Sequence, residues 1–492
     1  MNWPLEREVA HKLAQMRGWL EQQRAGAVRL RGADWFAWAT AGASNSQQPM
    51  SPCGGAELLV TRDGAYILSD EAEAPRLREE EVRGPWTWQV SPWMPAQLHE
   101  LREHFVQHAA GGAVVLSDLP RLHERGLLRS MCEERLVLLE PEQRRYRHVG
   151  QLAASAASAA LRLARPDWTE QELAAACIRA LWLRGLQAVH VMAMGAERQP
   201  RYRRAPASAA LLGARAVLAV CARRHGLCAS LSRQVCFGEA GQRLRSRVRN
   251  GAATEVSTAA NKGANKGANK GVNPAANKAA IAADANTDPG KQSHQQAKED
   301  SSQRASQDAN PRNGPTSGVT AGVTGVVTSG LTSGLTSGLT SGLSSQFASG
   351  ANDDTAAVIT GHADDNSVEH DDATLLALET VALEACVAGN ALSMVYHALD
   401  SAYAYAGHPD TVLHHRQGGI HGYLAPEVMA SAHTEIILKR GMVVALHPSL
   451  PCGMVEDTFL LDGGQLRNLT YDPAWPSTLI QGRRRPLTLV PG

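Results

Sequence analysis

Six of the eighteen histidines fall between positions 408 and 447: His408, His414, His415, His421, His433 and His447. In HHRQGGIHGY the histidine pair precedes Gly418 and Gly419, and glycine lets backbone approach a bound group closely. Glu456 follows in EDTFLL, on an expected strand. Imidazoles and a carboxylate on neighbouring strands can bind a transition-metal ion or pass protons; the ordinary alternative is a set of histidines satisfied by internal hydrogen bonds. Cys221, Cys228 and Cys236 fall on one expected β-ribbon, where a buried thiol is the default, since a nucleophilic cysteine needs a neighbouring base. Tyr396, Tyr403 and Tyr405, before Gly407, read as packing or interface residues, and the late GRRRP as a solvated tail.

Composition narrows the classes. The 492 residues carry 49 Lys and Arg against 48 Asp and Glu, a net charge of +1, without the basic excess of a nucleic-acid binder. No apolar run approaches the roughly 18 residues that cross a bilayer. The start, MNWPLEREVAHKL, lacks an export signal's apolar core. Eight cysteines with no CxxC pair read as reduced thiols, so a cytoplasmic protein is expected.

The elements that must position these groups fall into two α/β domains. Residues 1–140 alternate helical and strand patterns, with a D-G turn between two apolar runs in AELLVTRDGAYILSD that predicts a hairpin. A second domain begins at 141. Its helix EQRRYRHVGQLAASAASAALRLA is followed by a capping box, Thr169 with Glu172, and Gly185 can close the next helix. Strands AVHVMAMG, RAVLAVCAR and LCASLSRQVCFG complete its first part, 141–245. The stretch 246–370 holds short repeats (ANKGANKGANKG, SGLTSGLTSGL) and one aromatic residue, Phe347. It cannot bury enough apolar surface to offset its ordering entropy and is expected to be a disordered insert. The second part, 371–480, resumes with LLALETVALEACVAG and ALSMVYHALDSAYAYAG and ends in short strands around GMVVALHPSL and MVEDTFLLDGG.

Taken in order, RPDWTEQELAAA, ARRHGLCASLSR, HHRQGGIHGY, GMVVALHPS and EDTFLL resemble the pita-bread peptidase family of aminopeptidase P, prolidase, methionine aminopeptidase and creatinase. Residues 1–140 are similar to the amino-terminal domain of the aminopeptidase P and creatinase branch. The resemblance implies a curved antiparallel sheet with helices outside and a pocket in its hollow, lined by Ser230, His415, His421, His447 and Glu456. Family members that use metal hold two ions with two Asp, one His and two Glu. Here the matching positions read Ala219, Ser230 and His447 for three of the carboxylates, leaving His415 (or its neighbour His414) and Glu456. Two dications need bridging oxygens, so a dinuclear site is not expected. A family histidine is also replaced by QPRYRRAP, which offers Arg201 and Tyr202 for a substrate carboxylate.

Three readings stay open. His415, His447 and Glu456 could hold a single divalent ion. Alternatively no cofactor is used, with His415 or His421 exchanging protons while Glu456 and Glu427 hold a cationic substrate group. Or catalysis is lost and a binding or regulatory module remains. The resemblance thus implies a hydrolase-like protein acting on a C–N bond of a small peptide or amidino substrate, with a homodimer as its assembly; the balanced charge and the lack of a long apolar run argue against nucleic acid and membrane as partners.

Overall fold

The protein is described by a computed structural model covering residues 5–48, 51–238, 368–451 and 453–491. The repeats of the 246–370 insert lie outside the described residues. Among the described residues no helix is long and apolar enough to cross a membrane.

The first elements are α1 (Leu5–Gln23), β1 (Ala27–Gly32), α2 (Ala33–Ala39), β2 (Cys53–Thr61), β3 (Ala65–Asp70), α3 (Ala74–Arg76, running into a π-turn Leu77–Glu81), β4 (Thr87–Ser91), α4 (Pro95–Ala109), β5 (Val115–Ser117) and β6 (Glu124–Gly126). They build a mixed six-stranded sheet in the order β4-β3-β2-β1-β5-β6. The hairpin expected from Asp63-Gly64 joins β2 to β3, with Val60 opposite Ala65. Three indoles fill the space between α1 and α2: Trp19 stacks on Trp38 at 5.9 Å, and Trp35 meets Trp38 edge-on at 5.4 Å.

After α5 (Arg129–Arg135) come α6 (Glu140–Leu163) and α7 (Glu170–Trp182), then β7 (Gln187–Gly195), β8 (Arg215–Arg224) and β9 (Leu227–Cys236), an antiparallel sheet in that order. The capping box forms: the Thr169 hydroxyl accepts from the Glu172 amide at 3.1 Å, and the Glu172 carboxylate accepts from the Thr169 amide at 2.7 Å. Gly185 takes φ +68°, closing the helix where a side chain would be strained. The alanine-rich face of α6 lets chain approach closely; a Cβ on Gly150 would lie 2.2 Å from the Leu469 carbonyl oxygen.

Two helices, α8 (Val368–Ala385) and α9 (Leu392–Tyr405), precede the last strands: β10 (Gly418–His421), β11 (Val428–Met429), β12 (Val443–Leu446), β13 (Ser449–Leu450), β14 (Gly453–Met454), β15 (Asp457–Asp462), β16 (Gln465–Asn468) and the ribbon β17 (Ser477–Ile480) with β18 (Arg483–Pro486). Five form an antiparallel sheet, β11-β10-β12-β15-β16. It joins the three-stranded sheet along β9: the Cys228 amide donates to the Gly422 carbonyl at 2.8 Å, and the Ser232 amide to that of Glu456 at 2.9 Å. Side chains alternate across a strand. Leu218, Val220 and Leu231 share a buried core with α6 and α7, while Ile420, Val444 and Phe459 share one with α8 and α9. The opposite face forms the hollow of a pita-bread fold.

Gly418 and Gly419 correct one expectation. Cβ atoms there would fall 2.1 Å from the Ala445 carbonyl oxygen and 2.0 Å from that of Val428. What approaches these glycines is the neighbouring strands β12 and β11, not a bound group.

Candidate functional site

Separate strands deliver the polar groups of the hollow. His421 ends β10, His447 follows β12, Glu456 precedes β15, and His190 sits on β7. His447 and Glu456 are 6% and 2% exposed, with Nδ1 3.6 Å from Oε1. This is an ion-pair distance, longer than a hydrogen bond. His421 is 2% exposed. Both ring nitrogens of His421 and of His447, and Oε2 of Glu456, are buried without a hydrogen-bond partner. Arg204 Nη2 lies 3.4 Å from His190 Nε2, and Arg204 Nη1 has no partner.

Register sets the floor. His190 pairs with Cys221, which pairs with Ser230; one step along, Met192 pairs with Ala219, which pairs with Ser232. Ser230 is buried, its backbone bonded in both directions to the Thr458 hydroxyl at 3.0 and 2.7 Å. Ala219 belongs to an apolar wall with Met194, Val217 and Met454.

His415, half-buried, stands beside this group. Its ring lies 6.1 Å from that of His447, with Nε2 3.2 Å from the His447 carbonyl oxygen and 3.0 Å from Ser449 Oγ. His414 is exposed, so of the pair it is His415 that faces inward.

Burial pushes the Glu456 carboxyl up, but the neighbouring His447, with Arg204 and His190 behind it, outweighs burial and holds it down at about 2. Burial drives His421 down to about 4, with His447, His190 and Arg204 adding to it and the Glu456 charge opposing. His415 falls to about 4 through burial and then His447, and burial lowers His190. At neutral pH the hollow therefore holds neutral imidazoles at these three positions around an ionised carboxylate.

A stability profile follows for His421. Its folded value, about 4, lies below the ordinary 6.5, so the unfolded chain binds the proton first. Stability is lost as pH falls from 6.5 and the loss is complete near 4, reaching about 2 kcal/mol at pH 5. Urea titrations at pH 7.5 and 5 should show a drop smaller by about that amount in His421→Gln; an equal drop in both proteins would contradict the shift.

Ala219 has no donor, Ser230 offers a neutral hydroxyl, and neither can bridge two dications. Among the described residues no three His, Cys, Asp or Glu side chains are grouped as a metal site, and His415 Nε2 is directed at the His447 carbonyl and Ser449.

Three other expected residues are placed elsewhere. Glu427 accepts from the Tyr423 amide at 2.7 Å and is ion-paired with Arg135, lining a different cavity. Arg201 is exposed and paired with Glu197 at 3.5 Å. Tyr202, 48% exposed, lies under the Arg198 guanidinium. The same loop instead sends Arg204 to the hollow. His190 was legible in principle, because in AVHVMAMG the two-residue period puts His190, Met192 and Met194 on one face.

No protein-family model matches the chain, and no curated protein matches it. Solved structures match in fold. The prolidase from Pyrococcus horikoshii OT3 has TM-score 0.54 at 12% identity, covering 94% of this chain and 98% of that one. The Xaa-Pro dipeptidase from Bacillus anthracis has TM-score 0.57 at 10% identity, with coverage of 94% and 98%. The N-terminal domain of the FACT complex subunit SPT16 from Cicer arietinum has TM-score 0.55 at 10% identity, with coverage of 95% and 97%. At such identities the likeness is one of architecture, and in architecture the chain is a pita-bread protein.

Proposed function

We propose that the hollow is the small-molecule site of a hydrolase-like protein that cleaves a C–N bond of a small peptide or amidino compound without a metal pair. In this reading Ala219, Ser230 and His447 stand where the family's carboxylate ligands would be. The His447–Glu456 pair carries the proposal. A carboxylate that stays ionised beside an imidazole orients it and stabilises its protonated form. His447 would take a proton from water as oxygen bonds to the electrophilic carbon, then give it to the departing nitrogen as the C–N bond breaks. Arg204 and neutral His421 would bind the substrate's polar atoms. A buried polar atom without a partner costs about 1–3 kcal/mol. Several such atoms in one hollow mark a place that a bound group would satisfy.

A second reading, a catalytically silent binding or regulatory module, is favoured by the capture of Glu427 by Arg135, which removes one expected clamp for a cation. The fold it shares with a domain of a FACT complex subunit is compatible with this.

Assays of the full chain on Xaa-Pro dipeptides and creatine-like amides, with and without chelator, separate the readings. Turnover that survives the chelator and falls by roughly 10²–10⁴-fold in His447→Gln supports acid–base chemistry. Turnover that requires added divalent metal overturns the metal-free reading, and no turnover by the folded native chain supports the module.

A further inference from the structure

A second cavity, of about 680 Å³, lies among the end of β1, α2, α5 and the turn after β10. That is within the roughly 300–1,000 Å³ of small-ligand sites. None of His190, His421, His447 and Glu456 lines it. Its wall includes Asp34, Trp35, Asp118, Arg135, Arg223 and Glu427.

These charges do not cancel internally. Arg135, 4% exposed, is clamped by Asp34 at 2.7 Å and by Glu427, with its guanidinium 4.0 Å over the Trp35 ring. The trio keeps one negative charge in surplus, and Arg135 Nε has no partner. Asp118 accepts from the main-chain amides of Arg31 at 2.9 Å and Gly32 at 2.7 Å and has no ion-pair partner among the described residues. The point where a Cβ on Gly32 would sit is 2.5 Å from Asp34 Oδ1 and 2.7 Å from Asp118 Oδ2, so two carboxylates from different elements converge there. Arg223, at the end of β8, lines the same space, and its side chain makes no hydrogen bond or ion pair with the described residues.

We propose that this cavity binds a small aminocarboxylate zwitterion. Its ammonium group sits at Asp34 and Asp118, and its carboxylate meets Arg223. A ligand with one charge would leave the opposite wall's charge desolvated and unpaired, which is costly. A zwitterion answers both, and a guanidinium holds a carboxylate through paired hydrogen bonds.

Calorimetric titration of the full chain with ω-aminocarboxylates from glycine to 6-aminohexanoate tests this, with butylamine and butyrate as single-charge controls. One chain length binds best, and both controls bind about tenfold more weakly or worse. Arg223→Gln lowers affinity by a similar factor while circular dichroism stays native, as does Gly32→Ala, whose added methyl crowds the carboxylates. Binding persists in Glu456→Gln, which separates this cavity from the hollow. No length preferred over the controls, native affinity in Arg223→Gln, or loss in Glu456→Gln would each overturn the assignment.

Discussion

Arg485→Met lowers unfolding free energy by about 3–5 kcal/mol, the cost of removing one partner from a buried ion network. Arg485, on β18, is 1% exposed, so GRRRP supplies a strand with a buried arginine and not the solvated tail its sequence suggested. It lies 2.8 Å from Asp457 of β15 and in contact with Glu379 of α8, both 0% exposed. Arg233 of β9 holds the other Asp457 oxygen at 2.9 Å, and the Thr470 hydroxyl donates to it at 2.7 Å. The network thus ties the helix after the insert to the sheets and the C-terminal ribbon. Asp457 keeps Arg233 when Arg485 is lost, but Glu379 loses its cation and must stay charged in an apolar setting or take up a proton. Urea unfolding at pH 7 should show a lower midpoint with an unchanged slope. Adding Glu379→Leu should restore part of the loss, since replacing both partners is far milder than orphaning one. A loss under about 1 kcal/mol in the single variant would show that the network contributes little.

Lys12→Met is the second large effect, at about 3 kcal/mol. Lys12 is 1% exposed and spends all three ammonium protons: on Glu8 at 2.7 Å, on Glu142 at 2.8 Å and on the Trp38 carbonyl at 2.7 Å. Glu8 retains Arg145 after the substitution, at 2.7 Å. Glu142 is left with neutral donors, the Tyr423 hydroxyl at 2.6 Å and the Leu139 amide at 2.7 Å. This places the cost at the lower end of the range. Arginine should not rescue, because a planar fork cannot reproduce three donors spread about one nitrogen. A native thermal midpoint in Lys12→Met would contradict the account. Since Tyr423 lies two residues beyond His421, slower amide exchange around β10 in the native protein than in the variant is the accompanying expectation.

Local signals carried much of the architecture. The Asp63-Gly64 turn, the Thr169–Glu172 capping box and the strands from Gln187 to Cys236 depend on neighbours within a few residues, and each forms where its pattern predicts. The convergence of His421, His447 and Glu456 was legible only through the resemblance, because strand order rather than spacing brings them together. Loop paths and long-range pairings were not legible. Nothing in QPRYRRAP distinguishes Arg204, which reaches His190, from Arg201, which turns to Glu197. Glu427 meets a partner 292 residues away, Arg135. Gly418 and Gly419 carry the residue type of a ligand contact but the geometry of close strand packing.

The central claim is that groups from separate strands act as one electrostatic unit in the hollow. A carbon-13 NMR titration of the His421 ring in the native protein and in Glu456→Gln tests it most directly. Protonation near pH 4 in the native chain, moving lower once the Glu456 charge is removed, is the expected outcome. Titration near 6.5, or a curve indifferent to Glu456→Gln, would mean that these side chains do not share a site.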